Sequence, residues 1–326
     1  MIVLHDATDV ANPPAPSVVA IGVFDGLHLG HQRVIATLLD LARQRGARAT
    51  VVTFDPHPAW VLAPERAPKL IGTLAQRLEG FEALGVDVVR VVRFDPALAA
   101  ESGEDFIERV LVGELHALSV VVGEDFRFGH ERHGDVDLLS HGGTRWDFDV
   151  VAAPIYGIGD RWSSTMVRRA LDAGDLDTAN GTLGRPFTLR GQVVHGDARG
   201  ADLGYPTANL ETAPRQQLPS EGVYAGVARL ADSTWRSAAV SVGARPQFYE
   251  AGEVLVEVHL PGFEADLYDA TLDVAFVRRL RAQATFSSVD ELIARIELDV
   301  RQSVGIFEEF TANTPALLGW ELGQRR

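Results

Sequence analysis

The 326-residue sequence predicts two folded regions in series: an open α/β domain with a parallel sheet, then an antiparallel β-barrel with a closing helix. Three observations predict it. Between residues 17 and 160, short apolar runs rich in β-branched residues alternate with amphipathic segments, the pattern of parallel strands with helical crossovers. After about residue 185 the runs shorten, alternate in polarity and are punctuated by Gly, Pro and Asp, as antiparallel strands closing into a barrel are. Near the end, apolar positions return to a helical period.

The first strand is expected over residues 18–24, a continuous apolar run. From His31 to Arg45 the residues Val34, Ile35, Leu38, Leu39, Leu41 and Ala42 keep a helical period, and Gly46 offers a left-handed stop. Further strands are expected over 49–54, 86–92, 119–122 and 147–153, with helices around 74–84 and 104–115. A helix over 170–180 precedes the change of character at Gly184 and Pro186, which sets domains 1–184 and 185–326. Segments 187–195, 222–229, 236–242, 254–259 and 271–276 read as barrel strands. Ser288 and Glu291 have capping-box spacing, and Leu292, Ile293, Ile296 and Val300 share the face of a closing helix.

Composition narrows the function. Hydrophobic residues make up 46% and charged residues 23%, which excludes a disordered chain. Thirty basic against forty-five acidic residues give a net charge of -15, which repels nucleic-acid backbones and anionic membranes. The chain has no cysteine, so thiolate catalysis, disulfides and zinc–thiolate sites are excluded, and a reducing cytoplasm is the expected location. The start MIVLHDATDV lacks a basic and then apolar leader, and no apolar stretch approaches the ~20 residues of a membrane span.

The expected first strand runs into Gly22-Val23-Phe24-Asp25-Gly26-Leu27-His28-Leu29-Gly30-His31 at a strand-to-helix turn. Two imidazoles three residues apart, with glycines admitting a close backbone, can hydrogen-bond a transferring phosphate beside a helix N-terminus. That arrangement suits nucleotidyl transfer, which needs alignment and charge stabilisation rather than a protein nucleophile. A second segment, Thr53-Phe54-Asp55-Pro56-His57-Pro58, ends a strand where open α/β sheets bind ligands. A third, Val121 to Gly129, sets Asp125 and Arg127 among Phe126 and Phe128, which suits a planar ring. Taken alone, either segment fits an ordinary turn with core aromatics equally well. A fourth, Arg161-Trp162-Ser163-Ser164-Thr165-Met166-Val167-Arg168, places hydroxyls at a helix start with Arg168 in the next turn. Such hydroxyls cap helices, and the same groups can cradle a triphosphate.

These four segments, in this order, resemble the adenylyltransferase half of bacterial bifunctional riboflavin kinase/FAD synthetase, whose patterns G-x-F-D-G-x-H-x-G-H, T-F-D-P-H-P, V-V-G-x-D-F-x-F-G and S-S-T-x-[IV]-R all match. The resemblance implies that His28 and His31 stabilise the ATP α-phosphate in the transition state. It implies that Gly22, Phe24, Asp25, Gly30, Arg161, Ser164, Thr165 and Arg168 hold ATP, and that Phe54, Pro56, Asp125 and Phe126 form the FMN pocket.

In the second half, Gly196-Asp197-Ala198-Arg199-Gly200 and Gly204-Tyr205-Pro206-Thr207-Ala208-Asn209 form a glycine-bounded loop followed by a hydroxyl and an amide two positions apart. These could hold phosphates and a hard cation such as Mg²⁺, and without context a turn with Asx-type bonding fits better. The family marks its kinase half by G-[FY]-P-T-A-N, which implies that Gly196, Gly200, Thr207 and Asn209 serve ATP, with Thr207 and Asn209 at the metal. The family's E-x-H and D-L-Y match Val256 to His259 and Asp266 to Tyr268 and imply Glu257 as the base for the ribityl hydroxyl; an outward-facing, solvated strand residue is the plainer reading of Glu257 on its own. Arg281 and Phe286 are implied at the kinase flavin site. The chain departs from the pattern at Gln247, where N-P-T-F is usual, at Gln283 in L-R-x-E-x-x-F, and at Asp269 after D-L-Y. The expected enzyme makes FMN from riboflavin and ATP, then FAD from FMN and ATP, with Mg²⁺. The alternative is FMN adenylyltransferase alone, with a C-terminal domain that binds flavin without kinase activity.

Overall fold

The computed structural model describes residues 1–5, 9, 15–154, 156–158, 160–196, 200, 203–244 and 254–313. The described residues fall into two compact units, one of Met1–Pro68 and Leu74–Ser163, the other of Lys69–Thr73 and residues 164–313.

The first unit is built on six parallel strands, β1 (Ile2–Leu4), β2 (Ser17–Ile21), β3 (Arg48–Asp55), β4 (Val88–Arg93), β5 (Ala117–Gly123) and β6 (Asp149–Ala153), in the order β1-β4-β3-β2-β5-β6. Central β2 is buried along its whole length, as a strand covered on both faces must be. Its helices are α1 (Leu29–Arg45), α2 (Pro58–Leu62), α3 (Leu74–Leu84), α4 (Pro96–Ala100), α5 (Gly103–Phe106) and α6 (Val136–Trp146). Helix α1 stops where expected: Gly46, at φ 59°, donates its N–H to Ala42 and Arg43. The helix expected over 104–115 is α5 running on as a π-helix over Ile107–Glu114.

Three features of this unit differ from the sequence expectation. Strand β2 ends at Ile21 rather than 24, because Phe24 and Leu27 take left-handed φ values of 54° and 43° and turn the chain. Strand β1 is too short to carry an alternation. Helix α6 was hidden by two glycines at its centre; a side chain at Gly143 would overlap the Phe148 carbonyl, and one at Gly142 would press on Ile107. The unit ends in a hairpin of β7 (Gly157–Ile158) and β8 (Asp160–Arg161).

The second unit opens with α7 (Ser164–Ala173) and α8 (Leu176–Leu183). The single helix expected over 170–180 is therefore two, parted at Gly174 with φ 73°, and Asp175 caps the second by accepting the Thr178 N–H at 3.0 Å. Six antiparallel strands follow, β9 (Phe187–Val194), β10 (Ala208–Thr212), β11 (Gly222–Arg229), β12 (Trp235–Ala244), β13 (Val254–His259) and β14 (Thr271–Arg281). They close into a barrel in the order β10-β13-β12-β11-β14-β9. Strand β10 escaped the sequence reading because Leu210 is its single buried residue. Inside lie Leu189, Val240, Val242, Val256, Val258, Val274 and Phe276, and Val167, Ala170, Leu171, Leu176, Ala179 and Leu183 of α7 and α8 belong to the same cluster. The division between cores thus falls at Ser163/Ser164, ahead of the 184/185 boundary expected from composition. The closing helix, α9 (Val289–Asn313), starts at Ser288, whose Oγ accepts the Glu291 N–H at 3.2 Å while Glu291 accepts from Ser287.

Candidate active sites

In the first unit the loop after β2 delivers both histidines to the start of α1. His28 is the N-cap of that helix, its Nδ1 accepting the His31 N–H at 3.4 Å. The two imidazoles stack, 3.6 Å between centroids and 23° between planes. Gly30 makes this possible, since a Cβ there would stand 3.1 Å from the His28 ring. Gly22 does the same for Phe24, which meets His31 edge-on at 5.2 Å. Because His28 Nδ1 is an acceptor, its Nε2 carries the proton. His31 is held well below its ordinary pKa of 6.5, first by its own desolvation, then by His28, Arg161 and Arg77. The His31 ring is therefore neutral near neutral pH.

The depressed pKa has a consequence for stability. As pH falls through the unfolded value of 6.5, the unfolded chain takes up a proton that folded His31 refuses, so stability present above that value is lost as acid is added. In thermal melts between about pH 8 and pH 5, we expect the midpoint of the wild type to fall more steeply than that of His31→Gln. Equal slopes would contradict the assigned shift.

Sequence reasoning missed Arg77. This arginine of α3, 3% exposed, donates to the Val23 carbonyl at 2.6 Å, to Thr53 Oγ1 at 3.3 Å and to the Phe54 carbonyl at 3.4 and 3.5 Å, tying the loop after β2 to the end of β3. Burial lowers its pKa, and the carboxylates of Asp25 and Asp55 oppose that. Nothing in the amphipathic pattern of α3 marks it, because its role depends on backbone carbonyls brought close only by the fold. Asp25 itself is buried.

Beside the histidine loop lies a cavity of about 430 Å³ lined by Gly22, Val23, Phe54, Phe94, Phe106, Phe126 and Phe128 among others. Two motif segments thus supply one aromatic slot, to which sequence reasoning had not added Phe94 and Phe106. Pro56 and Asp125 lie outside its wall; Asp125 instead pairs with Arg161 at 2.5 Å, joining two of the expected site residues. Ser164, Thr165 and Arg168 stand in the first two turns of α7, in the second unit, and Arg168 Nε donates to the Lys69 carbonyl at 2.6 Å.

The second unit has its own cavity, about 1010 Å³, on the outer wall of the barrel beneath α9. Strand alternation explains why: Val240, Val242, Val256 and Val258 point inward, so Ser241 and Glu257 point out. Glu257 stands opposite Asn209 of β10 on one side and Ser241 of β12 on the other, and all three line the cavity with Gly200, Thr207, Arg281 and Phe286. Glu257 is thus outward-facing, as its plainer reading held, but on a walled cavity. Gly204, at φ 83°, turns the chain into Pro206 and Thr207. His259 then donates from Nδ1 to the Pro206 carbonyl at 2.8 Å, so the histidine of E-x-H anchors the loop that carries Thr207.

Gly196 lies against the Asn209 amide and Gly200 within reach of Thr207 Oγ1: a Cβ on the first would overlap that amide, and one on the second would sit 3.3 Å from that hydroxyl. We expect Gly196→Ala to displace Asn209 and lower turnover at this site by up to ~100-fold, with the melting curve little changed; unaltered steady-state kinetics would contradict it. Arg281 is held by Asp299 of α9, 3% exposed, at 2.8 and 2.9 Å, and lies 5.7 Å from the Phe286 ring. Asp299 was also missed, since on sequence it reads as one more polar position on the closing helix. Gln247 and residues 197–199 lie outside the described residues. Among the described residues no cluster of three or more His, Asp or Glu side chains could hold a metal by itself, and no helix is long and apolar enough to cross a membrane.

A family model described as FAD synthetase matches residues 11–166, and one described as riboflavin kinase matches residues 183–307. The protein of Pseudomonas fluorescens named bifunctional riboflavin kinase/FMN adenylyltransferase is 40% identical over 284 residues, 87% of this chain and 90% of its own length. Its namesake in Bacillus subtilis (strain 168) is 33% identical, covering 94% of this chain and 97% of itself. A solved structure from Streptococcus pneumoniae, titled a macrolide-efflux protein, superposes with a TM-score of 0.81 at 30% identity over 96% of this chain and 98% of its own.

Proposed function

This chain belongs to the bifunctional riboflavin kinase/FMN adenylyltransferase family, and on that premise we propose how its residues divide the two reactions. It is an enzyme that phosphorylates riboflavin to FMN and adenylylates FMN to FAD, using ATP in both. One observation carries the division: each compact unit holds its own cavity, an aromatic slot beside the histidine loop in the first and a cavity walled by Thr207, Asn209 and Glu257 in the second. The reading in which the barrel only binds flavin is not favoured, since the riboflavin kinase match spans residues 183–307. By motif, residues 1–184 carry adenylyl transfer and residues 185–326 the kinase.

In adenylyl transfer, a phosphate oxygen of FMN attacks the α-phosphorus of ATP, a P–O–P bond forms and pyrophosphate leaves. His28 Nε2–H and neutral His31 stabilise the charge gathering on the α-phosphoryl oxygens, with the start of α1 adding positive potential. Gly22, Phe24, Asp25, Gly30 and Arg161 shape the nucleotide site, and Ser164, Thr165 and Arg168 hold its phosphates by family resemblance. The aromatic slot of Phe54 and Phe126 takes the isoalloxazine ring, with Pro56 and Asp125 at its approaches.

In the kinase, Glu257 accepts the proton of the ribityl 5′-hydroxyl as that oxygen attacks the γ-phosphorus and ADP leaves. Thr207 and Asn209, seated against Gly200 and Gly196, offer neutral oxygen donors that suit Mg²⁺ entering with the ATP phosphates. Bound there, Mg²⁺ would neutralise charge on the transferring phosphates. Arg281 and Phe286 border the flavin. A cytoplasmic location, and partners restricted to flavins and ATP, complete the reading. The test incubates the protein with riboflavin, ATP and MgCl₂ and resolves the flavins by chromatography. FMN should form first and FAD after it, and EDTA should stop both; FAD from supplied FMN with no FMN from riboflavin would overturn the kinase assignment.

A further inference from the structure

Gln283 stands where the family pattern has Glu, and it is bonded in a way Glu cannot be. Its Nε2 donates to Ser241 Oγ at 3.1 Å and to the Val242 carbonyl at 3.0 Å. Gly243 leaves the seat: a Cβ there would stand 2.8 Å from that nitrogen. A carboxylate has no hydrogen to give either acceptor and would face a carbonyl oxygen with like charge. Ser241, having accepted from Gln283, keeps its own O–H proton to donate. Its register partner on β13 is Glu257, and directly opposed side chains on one face of an antiparallel pair lie within reach of each other. Gln283, Ser241 and Glu257 all line the one cavity.

We infer that Gln283 is a positioning residue for the kinase, orienting the Ser241 hydroxyl so that it donates to the Glu257 carboxylate and fixes its aim at the substrate hydroxyl. The departure from the family pattern then preserves the kinase instead of weakening it. This inference rests on Glu257 being the base. Other ionisable groups on the cavity are Tyr205, Glu221, His259, Arg281 and Asp299, of which Arg281 pairs with Asp299 and Asp299 also pairs with Arg295 at 3.2 Å.

The test measures kcat and KM for FMN formation by the full chain in wild type, Gln283→Glu, Gln283→Ala, Ser241→Ala, Ser241→Thr and the Gln283→Ala/Ser241→Ala pair. Loss of one neutral hydrogen bond should cost roughly three- to tenfold in kcat, with KM for riboflavin and ATP unchanged, in Gln283→Glu, Gln283→Ala and Ser241→Ala. The pair should be no worse than Ser241→Ala alone, and Ser241→Thr, which keeps the hydroxyl, should retain wild-type kcat. A melting curve of the full chain that matches wild type in every variant reports an intact barrel. Wild-type kcat in Gln283→Glu and Gln283→Ala, a change confined to KM, or losses that multiply in the pair would overturn the relay. If Glu257→Gln also keeps wild-type kcat, the failure lies with the base assignment; if Glu257→Gln is inactive, it lies with the relay alone.

Discussion

Replacing Glu257 with Gln is expected to lower riboflavin phosphorylation by ~10²–10⁴ while FAD formation from supplied FMN continues at the wild-type rate. The amide keeps the size of the side chain and can still hydrogen-bond across to Asn209 and Ser241, its register neighbours. What disappears is the proton acceptor for the ribityl hydroxyl, so the loss should fall on kcat. The measurement is a steady-state assay of FMN from riboflavin, beside a second assay of FAD from FMN on the same preparation. A kinase rate within a few-fold of wild type would remove Glu257 from the role of base.

The mirror-image result is expected for the histidines. His28→Ala or His31→Ala should each lower FAD formation by ~10²–10³, the cost of losing one preorganised donor, and leave FMN formation intact. The stacked geometry sharpens this expectation: without the His28 ring, α1 also loses its N-cap, and His31 loses the partner 3.6 Å away that orients it. His28→Asn, which restores a capping side chain without an imidazole, should recover helix stability but not the rate. Equal loss of both activities in a folded variant would contradict the two-site assignment.

Much of this was legible in the sequence. The histidine turn could be read because its chemistry is local: glycines, imidazoles and a helix start within ten residues, in the order the fold uses them. The barrel strands β11 and β13 fall over the residues expected of them, β13 by its alternation and β11 as an apolar run buried along nearly its whole length. What escaped depends on long-range partners. Arg77 acts through carbonyls of Val23 and Phe54, more than twenty residues away in sequence, and Asp299 through Arg281. Phe94 and Phe106 look like core residues until a cavity is seen beside them. The helices α7 and α8 read as the end of the α/β pattern, while their apolar faces complete the barrel cluster, because amphipathic periodicity shows that a face is buried and not against what.

The central claim, two sites that share no residue, is tested most directly by complementation. His28→Ala and Glu257→Gln are each incubated with riboflavin, ATP and MgCl₂, alone and mixed, and FAD is quantified by chromatography. The account predicts FMN without appreciable FAD from His28→Ala, little of either product from Glu257→Gln, and FAD at a substantial fraction of the wild-type rate from the mixture. A mixture that makes no more FAD than its components, although each retains its remaining half-reaction, would contradict it.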